Sequence, residues 1–178
     1  MATVTPSRET GGRTGTEPVV WLLVGLTGSG KTTYARRRLE SAGAVRLSVD
    51  ELVHARHGRY GVDYPERRYF ELEAPVVAEV REELVDLVAA GQNVVLDHGL
   101  WLRSDREEWK KLVTEAGGRP EMLYFPVPRE ELLRRLEERN RREDGNALTV
   151  SPEALNDFYA RFEPPHDEGE EIIEPGSF

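Results

Sequence analysis

Short apolar runs, each a few residues long, alternate along the chain with longer amphipathic stretches. Val19–Val24 is continuously apolar and runs into glycine, the pattern of a strand covered on both faces in a parallel sheet. Residues 32–42 favour a helix that Gly43 stops. A second strand over 45–49 reaches Asp50, followed by a short helix over 51–56 and a loop punctuated by Gly58, Gly61 and Pro65. Residues 66–90 read as one or two helices, with Pro75 predicting a kink or break near Ala74. A third strand over 93–96 ends at Asp97. The run Ser104-Asp105-Arg106-Glu107 has capping-box spacing and predicts a helix to about Ala116. A fourth strand over 122–125 precedes Pro128, a first-turn residue for a helix to about Arg142. Asp144-Gly145-Asn146 reads as a loop, Ser151-Pro152 caps a helix to about Phe162, and Ile172-Ile173 suits a fifth, edge strand. Strands alternating with helices predict an α/β fold with a mainly parallel five-stranded sheet.

Composition adds limits. At 178 residues the chain suits one domain with its own core. It has no cysteine, hence no disulfide, thiolate metal site or thiol nucleophile, and a reducing cytoplasm is the expected home. No run approaches the roughly 18 apolar residues of a membrane span. Residues 1–17 are polar, lack a signal-peptide core and are expected to be a disordered leader, with the folded domain expected over 18–163 and an acidic, solvated tail over 164–178. The net charge is −9, and residues 163–178 carry six acids and no lysine or arginine. Such a balance disfavours long nucleic acids as partners. Lysine is scarce: the first hundred residues hold only Lys31.

That lysine sits in Gly25-Leu26-Thr27-Gly28-Ser29-Gly30-Lys31-Thr32, a full G-x-x-x-x-G-K-[ST] motif between an apolar strand and a helix. Small residues let successive backbone N–H groups converge on a phosphate, and the helix N-terminus adds partial positive charge. Lys31 reaches the β- and γ-phosphates and the Thr32 hydroxyl suits Mg²⁺. Thr27, Gly28, Ser29, Gly30, Lys31, Thr32 and Thr33 are therefore the expected nucleotide-binding set. The chain carries no N-K-x-D-type guanine-reading motif and is short for a mechanical ATPase, which leaves the small kinases. Asp50, at the carboxyl end of the second strand, would face the ligand crevice. It could take the proton of an attacking hydroxyl or cap the helix that starts at Glu51.

The P-loop, a strand-end Asp about twenty residues on, a second at Asp97 and an Arg-rich helix resemble the small P-loop kinase superfamily over about residues 19–162. The most similar branch holds chloramphenicol phosphotransferase and the kinase domain of polynucleotide 5′-kinases. The resemblance implies a three-layer sandwich with a helical lid, Asp50 as general base, and Asp97 serving either Mg²⁺ or the acceptor. His98 and Arg103 are expected near the acceptor, with Trp101 walling the pocket or packing in the core. Tyr64 lies where relatives insert acceptor-recognition elements. At about 100° per residue Arg135, Arg139 and Arg142 share a stripe beside Leu132 and Leu136. Arg139 and Arg142 are the expected lid arginines, and Arg135 is expected nearer the nucleoside; the alternative is a solvated face paired with Glu131, Glu137 and Glu138. The expected activity is transfer of the γ-phosphoryl group of ATP or GTP, with Mg²⁺, to a hydroxyl of a small molecule. By resemblance, an antibiotic or nucleoside-like natural product comes first, with resistance-type inactivation as the role. A 5′-hydroxyl polynucleotide kinase and a nucleotide-binding regulatory module are the alternatives.

Overall fold

The computed structural model describes residues 16–141 and 150–176. Five parallel strands, β1 (Val19–Val24), β2 (Val45–Ser48), β3 (Val94–Asp97), β4 (Arg119–Tyr124) and β5 (Glu170–Ile172), lie in the order β2-β3-β1-β4-β5. The central place of β1 explains its unbroken apolarity. Val20, Leu22 and Val24 face one layer, where Val94 and Leu96 of β3 join them; Leu23 and Val95 face the other.

The first layer holds α2 (Val49–His57), α3 (Tyr69–Ala89) and α4 (Arg103–Glu115). The second holds α1 (Lys31–Tyr34), which runs on as a π-helical stretch, Ala35–Glu40. Ala35 and Leu39 pack there with Phe125 and Ile173. A third apolar group, Leu132 and Leu136 of α5 (Arg129–Arg141) with Leu155 of α6 (Pro152–Arg161), packs on Leu26 of the P-loop. The arginine helix is thus fastened over the phosphate loop. Arg142 and the loop expected at 144–146 lie outside the described residues.

Several sequence expectations shift. Pro75 neither kinks α3 apart nor ends it: the helix runs unbroken from Tyr69 to Ala89. Its buried stripe, Val76, Val80, Leu84 and Val88, begins one residue later. At roughly 1.5–3 kcal/mol per buried side chain, the stripe outweighs the roughly 3 kcal/mol cost of an interior proline. The helix at Asp50 starts earlier than predicted. Ser48 is its cap, its Oγ accepting from the Glu51 N–H at 3.4 Å, so Asp50 falls in the first turn with its carboxylate uncommitted to capping. Ser104 caps nothing either. α4 starts at Arg103, whose N–H donates to Glu163 Oε2 at 2.8 Å, a cap supplied from 60 residues away.

The acidic segment is only partly solvated. It carries β5, pairing Tyr124 with Ile172, and it inserts Glu168 beneath α4. Arg106, fully buried, donates Nε and Nη2 to the two oxygens of Glu168 at 2.8 and 2.7 Å. Its Nη1 donates to the carbonyls of Leu100 and Trp101 at 3.1 Å. Among the described residues no helix is long and apolar enough to cross a membrane.

Glu168→Ala leaves a buried guanidinium unpaired and should cost about 3–5 kcal/mol in denaturant unfolding. Arg106 holds the Glu168 carboxyl below its ordinary value. The pair's stabilisation is therefore complete above the usual carboxylate range and lost as pH falls through that lowered value. The same titration of Glu168→Gln should lack that acid-side loss.

Candidate active site

At Gly25 the P-loop is packed too tightly for a side chain. A Cβ on Gly25 would stand 2.8 Å from Ser29 Oγ and 3.1 Å from the Phe125 carbonyl. Gly28 and Gly30 adopt φ of 82° and 97°, in the left-handed region that glycine tolerates. The Gly25 N–H donates to the Gly99 carbonyl at 3.0 Å, tying the loop to the turn after β3.

Lys31 Nζ donates to the Leu26 carbonyl at 2.9 Å and lies 3.5 Å from Ser29 Oγ. Burial pulls its pKa down, while Asp97 and Asp50 oppose that shift. The Thr32 hydroxyl donates to Asp97 Oδ2 at 2.8 Å, and Arg46 Nη1 reaches the same oxygen at 3.1 Å. Arg46 also pairs with Glu51 at 2.7 Å. The Thr32 and Asp97 oxygens are hard donors beside the lysine, as a magnesium ion requires. Among the described residues no group of three or more acidic or imidazole side chains could hold a metal by itself. Phosphate and water would have to complete the shell.

Two cavities meet at this lysine. The larger, about 480 Å³, is lined by Thr27, Gly28, Gly30, Lys31, Thr32 and Thr33, by Asp50, Tyr64 and Asp97, and by Arg135 and Arg139 of α5. Arg135 is braced by Glu131 at 2.7 Å and donates to the Gly28 carbonyl at 3.3 Å. Arg139 is half-buried, and that burial lowers its pKa against the attraction of Asp50. The smaller cavity, about 280 Å³, lies under the turn after β3 and is walled by His98, Trp101, Tyr69, Glu73 and Phe158. Thr27, Lys31, Asp50, Tyr60 and Tyr69 line both.

Asp50 faces that junction, where the Tyr69 hydroxyl donates to its Oδ1. For Glu73, one turn along α3, burial and then the charge of Asp50 push the pKa up to about 7. Burial and the same carboxylate push the Tyr69 phenol upward. His98 is held below its ordinary value by burial, with Nδ1 3.8 Å from Glu73 Oε1.

The residues expected from the sequence divide as follows. Eleven of them share the larger cleft, and His98 joins Lys31 and Asp50 in the smaller. Ser29 is buried behind the loop and lines neither. Arg103 also lines neither: its Nε pairs with Glu107 at 2.9 Å on an exposed helix face. Trp101 does both things weighed for it, walling the cavity and packing on Phe158. The sequence pattern does not single out Tyr69, Glu73 or Arg46. The i, i+4 spacing of Tyr69 and Glu73 on a helix otherwise rich in exposed glutamates was the available signal.

Fold and site define a small P-loop kinase architecture. The model of the AAA domain family matches residues 20–165, and the chain belongs to that family. Solved structures with the same fold include a candidate kinase from Chloroflexus aurantiacus j-10-fl (TM-score 0.71, 18% identity, covering 90% of this chain and 87% of that one). A chain of the Pnkp1/Rnl/Hen1 RNA repair complex matches with TM-score 0.66 and 22% identity over 89% of this chain and 51% of its own. The Mycobacterium tuberculosis APS kinase CysC, solved with AMPPNP and APS, matches with TM-score 0.58 and 19% identity over 91% of each chain. No curated protein matches the sequence at a significant level.

Lys31→Ala should lower nucleoside triphosphate turnover by about 10²–10³-fold, the usual loss when one preorganised donor to developing charge is removed. Thermal unfolding should stay near wild type. Thr32→Val keeps the shape without the hydroxyl and should raise the Mg²⁺ concentration needed for half-maximal turnover, measured by magnesium titration.

Proposed function

We propose that the chain is a phosphotransferase that moves the γ-phosphoryl group of ATP or GTP to a hydroxyl of a small molecule. The observation that carries this reading is the junction: Lys31 and Asp50 line both a phosphate-sized cleft and a separate, smaller cavity. A nucleotide switch needs only the first. In the proposed step the acceptor oxygen bonds to the γ-phosphorus as the bond to the β-bridging oxygen breaks. Asp50 takes the hydroxyl proton, and the nucleoside diphosphate leaves. Tyr69, donating to Asp50, fixes the carboxylate's orientation. Lys31 and Arg139 balance charge on the transferred group, while Arg135 holds the P-loop backbone at Gly28. Mg²⁺, held through Thr32 and Asp97 with phosphate oxygens and water, would neutralise the triphosphate when bound.

The fold likeness to the chain in an RNA repair complex favours one second reading, a 5′-hydroxyl polynucleotide kinase. Against it, the smaller cavity is lined by Asp50, Glu66, Glu73 and Asp105, which repel a phosphate backbone. A small-molecule kinase of natural products, including one that inactivates an antibiotic, suits that cavity better.

Asp50→Asn should reduce kcat by roughly 10²–10⁴-fold, the range of general-base help. Nucleotide affinity should scarcely move, because Ser48 caps the helix and the amide keeps the size. Equal loss in nucleotide binding would mean that Asp50 serves the triphosphate instead. Steady-state turnover should also depend weakly on ionic strength; efficient labelling of 5′-hydroxyl oligonucleotides with a steep salt dependence would favour the second reading.

A further inference from the structure

The chemistry of the acceptor is written in the walls of the smaller cavity. At about 280 Å³ it lies just below the roughly 300–1,000 Å³ usual for small-molecule pockets. Aromatic side chains make much of its lining: Tyr60, Tyr69, Phe70, Trp101 and Phe158. Trp101 and Phe158 pack with ring centroids 4.9 Å apart, and Tyr60 meets Tyr69 edge-on at 5.5 Å. Packed rings of this kind hold their positions and offer negative π faces.

Glu73 breaks the aromatic wall. Its side chain is only 15% exposed, and the basic group set against it is His98, at 3.8 Å. His98 Nδ1 is buried without a hydrogen-bond partner, and its ring lines the same cavity. A buried carboxylate and a buried unpaired ring nitrogen are both costly left as they are. A ligand cation with several donors answers both. An ammonium has several N–H donors, enough for a carboxylate oxygen and for the lone pair of a neutral imidazole together. A hydroxyl has a single donor, and an anion would be repelled by Glu73 and Asp50.

We infer that the smaller cavity takes a hydroxylated organic amine, its ammonium seated between Glu73 and His98 against the aromatic walls and its hydroxyl presented to Asp50. The inference rests on the phosphotransferase reading for the hydroxyl's fate, but not for the binding of the amine. The cations of the lining do not compete for this role. Lys31 is committed to the phosphate loop, and Arg161 pairs with Asp157 at 2.7 Å.

The test uses the full chain with Mg²⁺ and AMPPNP for binding, or Mg²⁺ and ATP for turnover. The probes are aminocyclitols and amino sugars, each paired with the compound bearing a hydroxyl in place of the amine. Calorimetry should give about tenfold or greater preference for the amine within a pair. In Glu73→Gln the ratio should collapse toward one, whatever the absolute affinities. Trp101→Leu, which keeps an apolar side chain without the π face, should shrink it severalfold and serves if Glu73→Gln fails to fold. Equal affinity within pairs, failure of every amine to bind, or a preference that survives Glu73→Gln would overturn the inference. Amine-selective binding without release of nucleoside diphosphate would preserve it and end the phosphotransferase reading. Turnover without amine preference would do the reverse.

Discussion

A carboxylate placed in the interior must be paired, because the desolvation of a lone charge costs several kcal/mol. Asp97, buried at the end of β3, answers that requirement with groups from two neighbouring elements: the Thr32 hydroxyl from α1 and the Arg46 guanidinium from β2. Arg46 carries the link onward to Glu51 in α2, the helix that presents Asp50. The charge balance of one side chain thereby sets the distance between the P-loop helix, the second strand and the proposed base. The hydrogen bond from Gly25 to Gly99 ties the phosphate loop to the turn after β3 from the backbone side. With both in place, the two cavities have a common wall.

The parts of this arrangement legible in the sequence are those whose determinants are local. Val19–Val24 and the glycines and lysine after it announce a strand and a phosphate loop, since both depend on consecutive residues. The stripe of Arg135 and Arg139 follows from helical period alone, and both residues face the cleft. Elements capped or coupled at long range were misplaced instead. Ser104 has the right spacing for a cap, yet Glu163 takes the job, and no window around residue 104 contains that fact. Pro75 was weighed by its intrinsic cost, without the valine and leucine stripe that overrides it. Tyr69 and Glu73 are ordinary helix residues until tertiary packing turns them toward Asp50. The acidic stretch at 163–176 reads as solvated by composition, whereas one of its carboxylates fills a buried socket.

The electrostatics of the junction divide labour between the two sides. Toward the larger cleft the charges are basic and fixed, with Lys31, Arg135 and Arg139 arranged above a backbone concavity. Toward the smaller cavity they are acidic, and Asp50 belongs to both. A reaction that brings a negatively charged phosphoryl group to an acceptor needs such a gradient, because the donor must be held by cations while the base stays ionised. The Tyr69 hydroxyl holds the Asp50 carboxylate in its orientation by donating to it.

The socket made by Arg106 has a consequence for the order in which the molecule assembles. Its Nη1 holds the carbonyls of Leu100 and Trp101, within a turn where Leu100 adopts a left-handed φ of 42°. Its other nitrogens wait for Glu168, 62 positions downstream. Until that carboxylate arrives, the guanidinium has no counter-charge and little reason to leave water. The turn over the smaller cavity is therefore braced by a segment that follows the last helix, α6. That turn cannot be fully braced until the chain has been made through Glu168. A chain that stopped short of Glu168 would leave the wall of the smaller cavity without its brace.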